Sequence, residues 1–243
     1  MMQNLDQLKK AIQSSHKIVF FGGAGVSTAS GIPDFRSANG IFHQPSNCNV
    51  SPETIISHSF FINYPKDYFE FHFDKLVYEN ATPNITHHYL KQLENMGKDV
   101  KIVTQNIDGL HQKAGSTQVF ELHGNVQNNY CMTCGKYYDL KDLNKDHDGI
   151  PRCPVDNGIV RPDIVMYEEP LNQETIENAV KAISEAELLI VAGTSLSVYP
   201  AASFIQYFRG QHFVIINKSK LNSNHRNAII FEEDMTKVFE SLK

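Results

Sequence analysis

Two patterns of apolar residues run along the chain. Leu5, Leu8 and Ile12 recur at helical spacing, which predicts a helix over residues 4–14. Ile18-Val19-Phe20-Phe21 is a short unbroken apolar run closed by glycines, the pattern of a strand buried on both faces. Runs of the same kind recur at residues 100–104, 119–122, 188–192 and 213–216. Helical patterns at 86–96, 173–185 and 201–208 lie before or between them. Strands alternating with amphipathic helices predict an α/β fold built on a doubly wound, mostly parallel sheet.

Two stretches interrupt the alternation. Residues 38–85 carry Pro45, Pro52, Pro65 and Pro83 and many aromatics, including Phe60, Phe61, Phe69 and Phe73. A structureless loop of that length is improbable inside a compact domain, so the stretch reads as a small helical insertion over the sheet edge. Residues 125–158 hold Cys131, Cys134 and Cys153 and a polar run over 141–148, and read as a small metal module. The two insertions are expected to lie together beside the larger domain.

Composition narrows the function classes. The chain has 243 residues with 41% apolar and 20% charged, which excludes wholesale disorder. No run of about 18 apolar residues exists to span a membrane. The first ten residues are polar and lack a signal-peptide core, so a cytoplasmic location is expected. A formal charge of −5, with scattered lysines and arginines, argues against a nucleic-acid partner. Of four cysteines, Cys48 stands alone, and the other three point to metal before disulfide.

Candidate chemistry gathers at the C-terminal ends of the strands, the edge where open α/β sheets bind ligands. The first strand runs into Gly22-Gly23-Ala24-Gly25-Val26-Ser27. Such a turn, with a helix N-terminus after it, lets backbone N–H groups approach a diphosphate, but Thr28 stands where a dinucleotide fingerprint has its third glycine. Alone, the loop reads equally well as a tight turn. The second strand ends in Gln105-Asn106-Ile107-Asp108-Gly109-Leu110-His111, and the third in His123-Gly124. His123 has an ordinary pKa near 6.5 that suits a base at neutral pH, although a lone histidine is more often a packed core residue.

Three blocks, 23–36, 104–111 and 121–124, resemble the sirtuins, which are NAD-dependent protein lysine deacylases. The likeness continues through the cysteine module, Arg161-Pro162-Asp163-Ile164-Val165, Gly193-Thr194-Ser195-Leu196 and Ile215-Ile216-Asn217, in order over nearly the whole chain. It implies a Rossmann-like NAD-binding domain over 1–37, 86–124 and 159–243. The insertions at 38–85 and 125–158 then form a small helical and zinc-binding domain.

The resemblance also implies a reaction. The carbonyl oxygen of an acetyl-lysine attacks the ribose C1′ of NAD as nicotinamide leaves, and the products are free lysine, nicotinamide and 2′-O-acetyl-ADP-ribose. By resemblance His123 deprotonates a ribose hydroxyl, Asp108 and the Ile107 backbone hold the nicotinamide carboxamide, Asn106 holds the ribose and a water, and Gln105 touches the ribose. Phe35 would shield the reactive carbon, and Arg36 would contact phosphate or ribose. Gly23, Ala24, Gly25, Thr28, Gly193, Thr194, Ser195 and Asn217 complete the implied NAD contacts. Asp34 is expected to hold its loop rather than to react. The adjacent His87 and His88 point apart on a helix and read as a helix cap region, not a metal pair.

Cys131-x-x-Cys134 followed by Cys153-x-x-Asp156 matches a four-ligand structural zinc spacing except at its last position. Asp156 stands where the family has a fourth cysteine, and a carboxylate is an allowed zinc ligand. His147 is a rival, and weak or absent metal is a third possibility. On the substrate side, residues 158–167 would include the strand that pairs with a peptide, with Val165 lining the acyl-lysine tunnel. Tyr167-Glu168-Glu169 replaces the family's Phe-Gly-Glu, which leaves the shape of that turn open. Desuccinylating members carry Tyr-x-x-Arg, and neither Tyr64 nor Tyr68 is followed by that arginine, so neutral acyl groups are expected. Mono-ADP-ribosyl transfer to protein and a non-catalytic NAD or ADP-ribose sensor are the alternatives.

Overall fold

Strand pairing follows the apolar runs in a computed structural model that describes residues 2–43, 50–196, 198–220, 225 and 227–243. Cys48 and Pro45 lie outside the described residues. The strands, in chain order, are β1 (Lys17–Gly22), β2 (Asp99–Thr104), β3 (Val119–Glu121), β4 (Gly124–Cys131), β5 (Tyr137–Asp139), β6 (Val160–Ile164), β7 (Leu188–Ala192), β8 (His212–Asn217) and β9 (Ile229–Glu232). Six form one parallel sheet in the order β3-β2-β1-β7-β8-β9. Phe20 pairs in register with Ile102 on one side and Ile190 on the other.

Helices cover both faces of this sheet, which is why its central strands are apolar without alternation. On one face Leu8 of α1 (Met2–Ser14) and Leu90 and Leu93 of a later helix, residues 85–95, pack on Ile18, Phe20, Ile102 and Ile190. On the other, Ala179, Ala182 and Ile183 of the helix over residues 173–185 pack on Val19, Phe21, Leu189 and Val191. The alternation of residues 18 and 20 against 19 and 21 is the pleat itself. Burying one such side chain contributes about 1.5–3 kcal/mol.

Short helices build the insertion: α2 (Pro52–Ile55), α3 (His58–Asn63) and α4 (Pro65–Phe71). Ser51 and Ser57 cap the first two by accepting the backbone N–H of Thr54 and Phe60. Their apolar face lies against the second insertion, as expected, and not over the edge of the large sheet, as the sequence had also suggested. Ile55, Phe61, Tyr68 and Phe69 pack instead on Val126, Ile150, Ile164 and Met166. The reason is area: this aromatic face needs an equally apolar partner, and the inner face of a second, antiparallel sheet in the order β5-β4-β6 supplies it.

The remaining helices are α5 (Ile85–Asn95), α6 (Leu110–Lys113), α7 (Gln173–Glu185) and α8 (Met235–Glu240), and a 3-10 segment spans Ala201–Tyr207. Asn84 accepts the Thr86 N–H at 3.0 Å and donates its own N–H to His87 Nδ1 at 3.1 Å, a capping box. His87 is thus buried in a cap and His88 is exposed, so they do not converge on a metal. β9 and α8 extend the fold beyond the apolar runs. Among the described residues no helix is long and apolar enough to cross a membrane.

One glycine joins the two sheets. Gly124 follows His123 with φ 75°, and a Cβ there would stand 2.0 Å from the Asp163 carbonyl oxygen on β6. Gly124→Ala is expected to cost about 3 kcal/mol, combining the left-handed penalty with the displacement of β6. Urea unfolding would read this as a lowered midpoint, and a change under 1 kcal/mol would refute it.

Candidate active site

β1 lies between β2 and β7, and the chain visits its two sides in turn, so a crevice opens past the C-terminal ends of β1 and β7. A cavity of about 1120 Å³ occupies it. Ala24, Gly25, Thr28, Phe35, Arg36, Gln105, Asn106, Ile107, His123, Val165, Gly193, Thr194, Ser195 and Asn217 all line this one space. Of the other sequence candidates, Gly23 lies under its floor and Asp108 in an adjoining recess.

The glycine loop works differently from the sequence expectation. Gly23 donates its N–H to the Ala192 carbonyl at 3.2 Å, and Gly25 to the Gly193 carbonyl at 2.9 Å. Val26 and Ser27 bond back to Gly23 and Ala24. These N–H groups therefore do not form a row facing a diphosphate; only that of Ala24 has no acceptor among the described residues. No long helix follows either, only two 3-10 turns at Ala24–Val26 and Thr28–Ser30. The glycines are steric: a Cβ on Gly25 would stand 2.8 Å from the Gly193 Cα, and one on Gly23 2.8 Å from the Gly193 oxygen. The β1 and β7 loops touch backbone to backbone, which leaves the space above them open.

At the end of β2, side chains form a chain of bonds. The Asn106 amide donates to Ser27 Oγ at 3.0 Å, and that hydroxyl donates to Asp108 Oδ2 at 2.6 Å. Asp108 Oδ1 accepts the Leu110 N–H at 2.9 Å. Burial raises the Asp108 pKa, and the Ser27 hydroxyl and Leu110 N–H oppose that rise. Thr104 Oγ1 accepts the Asn106 N–H at 3.0 Å and so fixes the turn. Sequence reasoning gave Ser27 and Thr104 no role. The adjacency of Ser27 to the glycine turn was the available signal, but its partners are about 80 residues away.

His123 sits at the end of β3, half-buried on the cavity wall. Its Nδ1 lies 2.9 Å from the Gln105 carbonyl oxygen. A carbonyl only accepts, so Nδ1 carries the proton and Nε2 keeps its lone pair. Burial lowers the His123 pKa, with the Gln105 carbonyl acting in the opposite sense. The arrangement is an oriented, neutral imidazole: a base at rest. Gln105 Nε2 is buried without a partner among the described residues, a donor aimed at nothing in the protein.

The other strand ends contribute polar groups to the same wall. Thr194 Oγ1 accepts the Leu196 N–H at 3.1 Å, and Asn217 Nδ2 donates to the Ser219 carbonyl at 2.9 Å. Asp34 holds its loop as expected, its Oδ1 accepting the N–H of Arg36 at 3.1 Å and Ser37 at 2.8 Å. The Phe35 ring packs edge-on against Phe42 at 5.3 Å. Arg36 is exposed, lies 5.6 Å over Phe42, and reaches the Tyr167 hydroxyl at 3.5 Å.

On the opposite wall Val165 donates its N–H to the His123 carbonyl at 2.9 Å. Ile56, Leu76, Ile107 and Ile164 line the space with it, so this arm is apolar. The following turn is docked on the insertion: Tyr167 N–H bonds the Ile56 carbonyl at 3.1 Å and His58 N–H bonds the Tyr167 carbonyl at 3.0 Å. Glu168 has φ 75°, so it holds the left-handed conformation a glycine would take there. Burial would raise the Glu169 pKa, but the paired Arg161 nitrogens at 2.7 and 2.9 Å, the Met166 N–H and His58 hold it down at about 2.

The cysteine module gathers four donors. Ligand atoms of Cys131, Cys134, Cys153 and Asp156 all lie within 4.8 Å of one another. Cys134 and Cys153 sulfurs are 3.7 Å apart, and Asp156 oxygens are 3.3 and 3.6 Å from Cys131 Sγ. Tetrahedral zinc with Zn–S near 2.3 Å and Zn–O near 2.0 Å requires S···S of about 3.8 Å and S···O of about 3.5 Å. The donor set therefore fits Zn²⁺ with Asp156 in the fourth place. Gly158 donates its N–H to Asp156 Oδ1 at 2.8 Å, and a Cβ there would stand 3.0 Å from both that oxygen and Cys131 Sγ. His147 is 88% exposed at its side chain and pairs with Asp148 at 3.0 Å, so it is not the fourth ligand.

Comparison with known proteins agrees with this geometry. A family model described as the Sir2 family matches residues 23–200. The chain is 49% identical over 242 residues to an NAD-dependent protein deacetylase of Clostridium acetobutylicum, covering 100% of this chain and 99% of that one. It is 52% identical over 239 residues to the protein of the same name in Clostridium perfringens, covering 98% of each. A solved structure described as Sir2 with a p53 peptide and NAD+ superposes with a TM-score of 0.82 at 34% identity, covering 98% of this chain and 96% of the other.

Proposed function

The chain belongs to the Sir2 family, and we infer from that premise that it is an NAD-dependent protein-lysine deacetylase. The observation that carries the reaction is His123, with its tautomer set by Gln105, facing the cavity that the β1 and β7 loops hold open. NAD supplies the reactive ribose carbon and nicotinamide as leaving group, a ribose hydroxyl takes over the acetyl group, one water is consumed in releasing the amine, and the products are free lysine, nicotinamide and 2′-O-acetyl-ADP-ribose.

Each side chain then has a task. The close packing of Gly23 and Gly25 on Gly193 makes room for a pyrophosphate, and the Ala24 N–H is the loop donor left to meet it. Thr28, Arg36, Thr194, Ser195 and Asn217 surround that end. Gln105 lines the same cavity beside His123 and touches the ribose in this reading. The Asn106–Ser27–Asp108 chain fixes both carboxylate and amide, so Asp108 and the Ile107 backbone can orient a carboxamide without reorganising. Phe35 excludes water. His123 Nε2 takes the proton of a ribose hydroxyl. Val165 and its apolar neighbours line the arm for the acyl-lysine.

We read residues 1–37, 86–124 and 159–243 as the NAD-binding domain, with 38–85 and 125–158 as the small domain. Zinc held by Cys131, Cys134, Cys153 and Asp156 is structural, since no donor of that set lines the cavity. A cytoplasmic location is favoured by three described cysteines that are unpaired thiols.

Purified protein given acetyl- and succinyl-lysine versions of one peptide, with and without NAD, tests this reading by mass spectrometry. Bare peptide, nicotinamide and O-acetyl-ADP-ribose are expected together and only with NAD. Acetyl should be removed at least about tenfold faster than succinyl, because an apolar arm leaves a second carboxylate desolvated and unpaired. Equal or faster desuccinylation would sink the preference. ADP-ribose appearing on protein without any acyl-lysine would favour a transferase instead.

A further inference from the structure

We propose that Glu168 is a specificity determinant that selects peptides carrying Lys or Arg beside the acetyl-lysine. The inference rests on the deacetylase reading above. Glu168 lines the cavity three residues beyond Val165, on the same wall as Met166 and Tyr167. Three residues span at most about 10 Å even when extended, and this stretch turns back at Glu168, so the separation is shorter. A long basic side chain one or two positions from the acetyl-lysine therefore reaches it.

The carboxylate is held in place rather than neutralised. Glu168 Oε2 accepts the Ser59 N–H at 2.8 Å and the Ser59 hydroxyl as well. Those two donors keep its pKa below the ordinary glutamate range, so the group is ionised. Its Oε1 has no partner among the described residues, and the residue is exposed. The turn cannot swing away, because the bonds of Tyr167 to Ile56 and His58, and of Glu169 N–H to the Met166 carbonyl at 3.1 Å, clamp both sides of it. Ordering the acceptor in advance removes part of the entropic cost of binding.

The other acids on the cavity wall are already engaged. Arg161 pairs with Glu169, Lys218 with Asp234 at 3.0 Å and Lys237 with Glu233 at 3.0 Å. Asp34 accepts backbone N–H groups of its own loop. Glu168 is thus the carboxylate of this wall with an oxygen still open to a cation. A peptide with an acidic neighbour would meet like charge at the same point.

Three acetyl-lysine peptides that differ only in flanking Arg, Gln or Glu decide the matter. Wild type should favour Arg over Gln by about fivefold in kcat/KM at low salt, the scale of an exposed ion pair, and Glu should be poorest. E168Q keeps an oxygen for Ser59 and removes the charge, so its Arg-to-Gln ratio should fall below about two. E168G, in which glycine holds the left-handed backbone freely, should show the same loss and so separate charge from anchoring. An unchanged ratio in both variants, or no preference in wild type, overturns the proposal. Fluorescence anisotropy of the labelled peptides reads the preference without turnover. Charge-selective binding that E168Q abolishes, with no deacetylation, would overturn the deacetylase reading alone. Deacetylation without charge selection would overturn only the role of Glu168.

Discussion

His123→Ala is expected to lower the kcat for deacetylation by about a thousandfold, within the range for loss of a positioned general base. The imidazole is half-buried and its Nδ1 is bonded to the Gln105 carbonyl, so Nε2 alone faces the cavity. Among the described residues no other histidine lines that space to replace it. Affinity for NAD and peptide should change by less than about threefold, because Gln105, Asn106 and Asp108 stay in place. The pH profile gives a second reading. The base acts in its neutral form, and burial lowers its pKa from 6.5. Wild-type kcat/KM should therefore rise with pH through an inflection below 6.5. The variant should lack that inflection. Residual kcat within tenfold of wild type would mean the proton goes elsewhere.

Cys131→Ala is the second large effect. Cys131 is 1% exposed, and its sulfur lies 3.3 Å from an Asp156 carboxylate oxygen within the donor set. Zinc content should fall from about one per chain to below about 0.1, read by elemental mass spectrometry. Loss of the metal leaves buried donors and a module whose own apolar cluster is only Cys131, Cys153 and Val160 with Tyr138 and Leu143. About 3 kcal/mol lost in a chain of this size lowers the melting temperature by about 10 °C. Activity should fall with it, since β4 begins at Gly124, the residue after His123. Asp156→Cys should hold zinc against a chelator at least as well as wild type, and His147→Ala should change nothing. Full zinc occupancy in Cys131→Ala would disprove the four-donor site.

Much of this was legible in the chain. β7 and α7 fall on the residues their patterns predicted, and β1, β2 and β8 extend theirs by one residue at one or both ends. Local physics decides such segments: an apolar run of five residues is stable only when buried on both faces, and a helix needs a cap such as Asn172, which accepts the Thr175 N–H at 2.9 Å. β9 and α8 were missed although Ala228-Ile229-Ile230-Phe231 is itself a short apolar run; no glycine closes it, and it pairs on one side only, with β8 at the edge of the sheet. The two insertions do lie together, as expected, but the surface that the helical one covers was read as the edge of the large sheet. Its aromatics declare that they must be buried but not on which residues.

The sequence alone determined the parallel α/β class, the residues gathered at the strand ends, and three of the four donors of the metal module. Those depend on periodicity, spacing and residue chemistry, which are local properties. Tertiary structure decided that Gly23 and Gly25 pack closely on Gly193, that Ser27 ties Asn106 to Asp108, that Asp156 and not His147 stands beside the three cysteines, and that Glu168 keeps a glycine's conformation while Ser59 holds its carboxylate. Each of these joins residues from separate segments of the chain. Such contacts exist only once the two sheets have packed, because their energies depend on distances that no local pattern encodes.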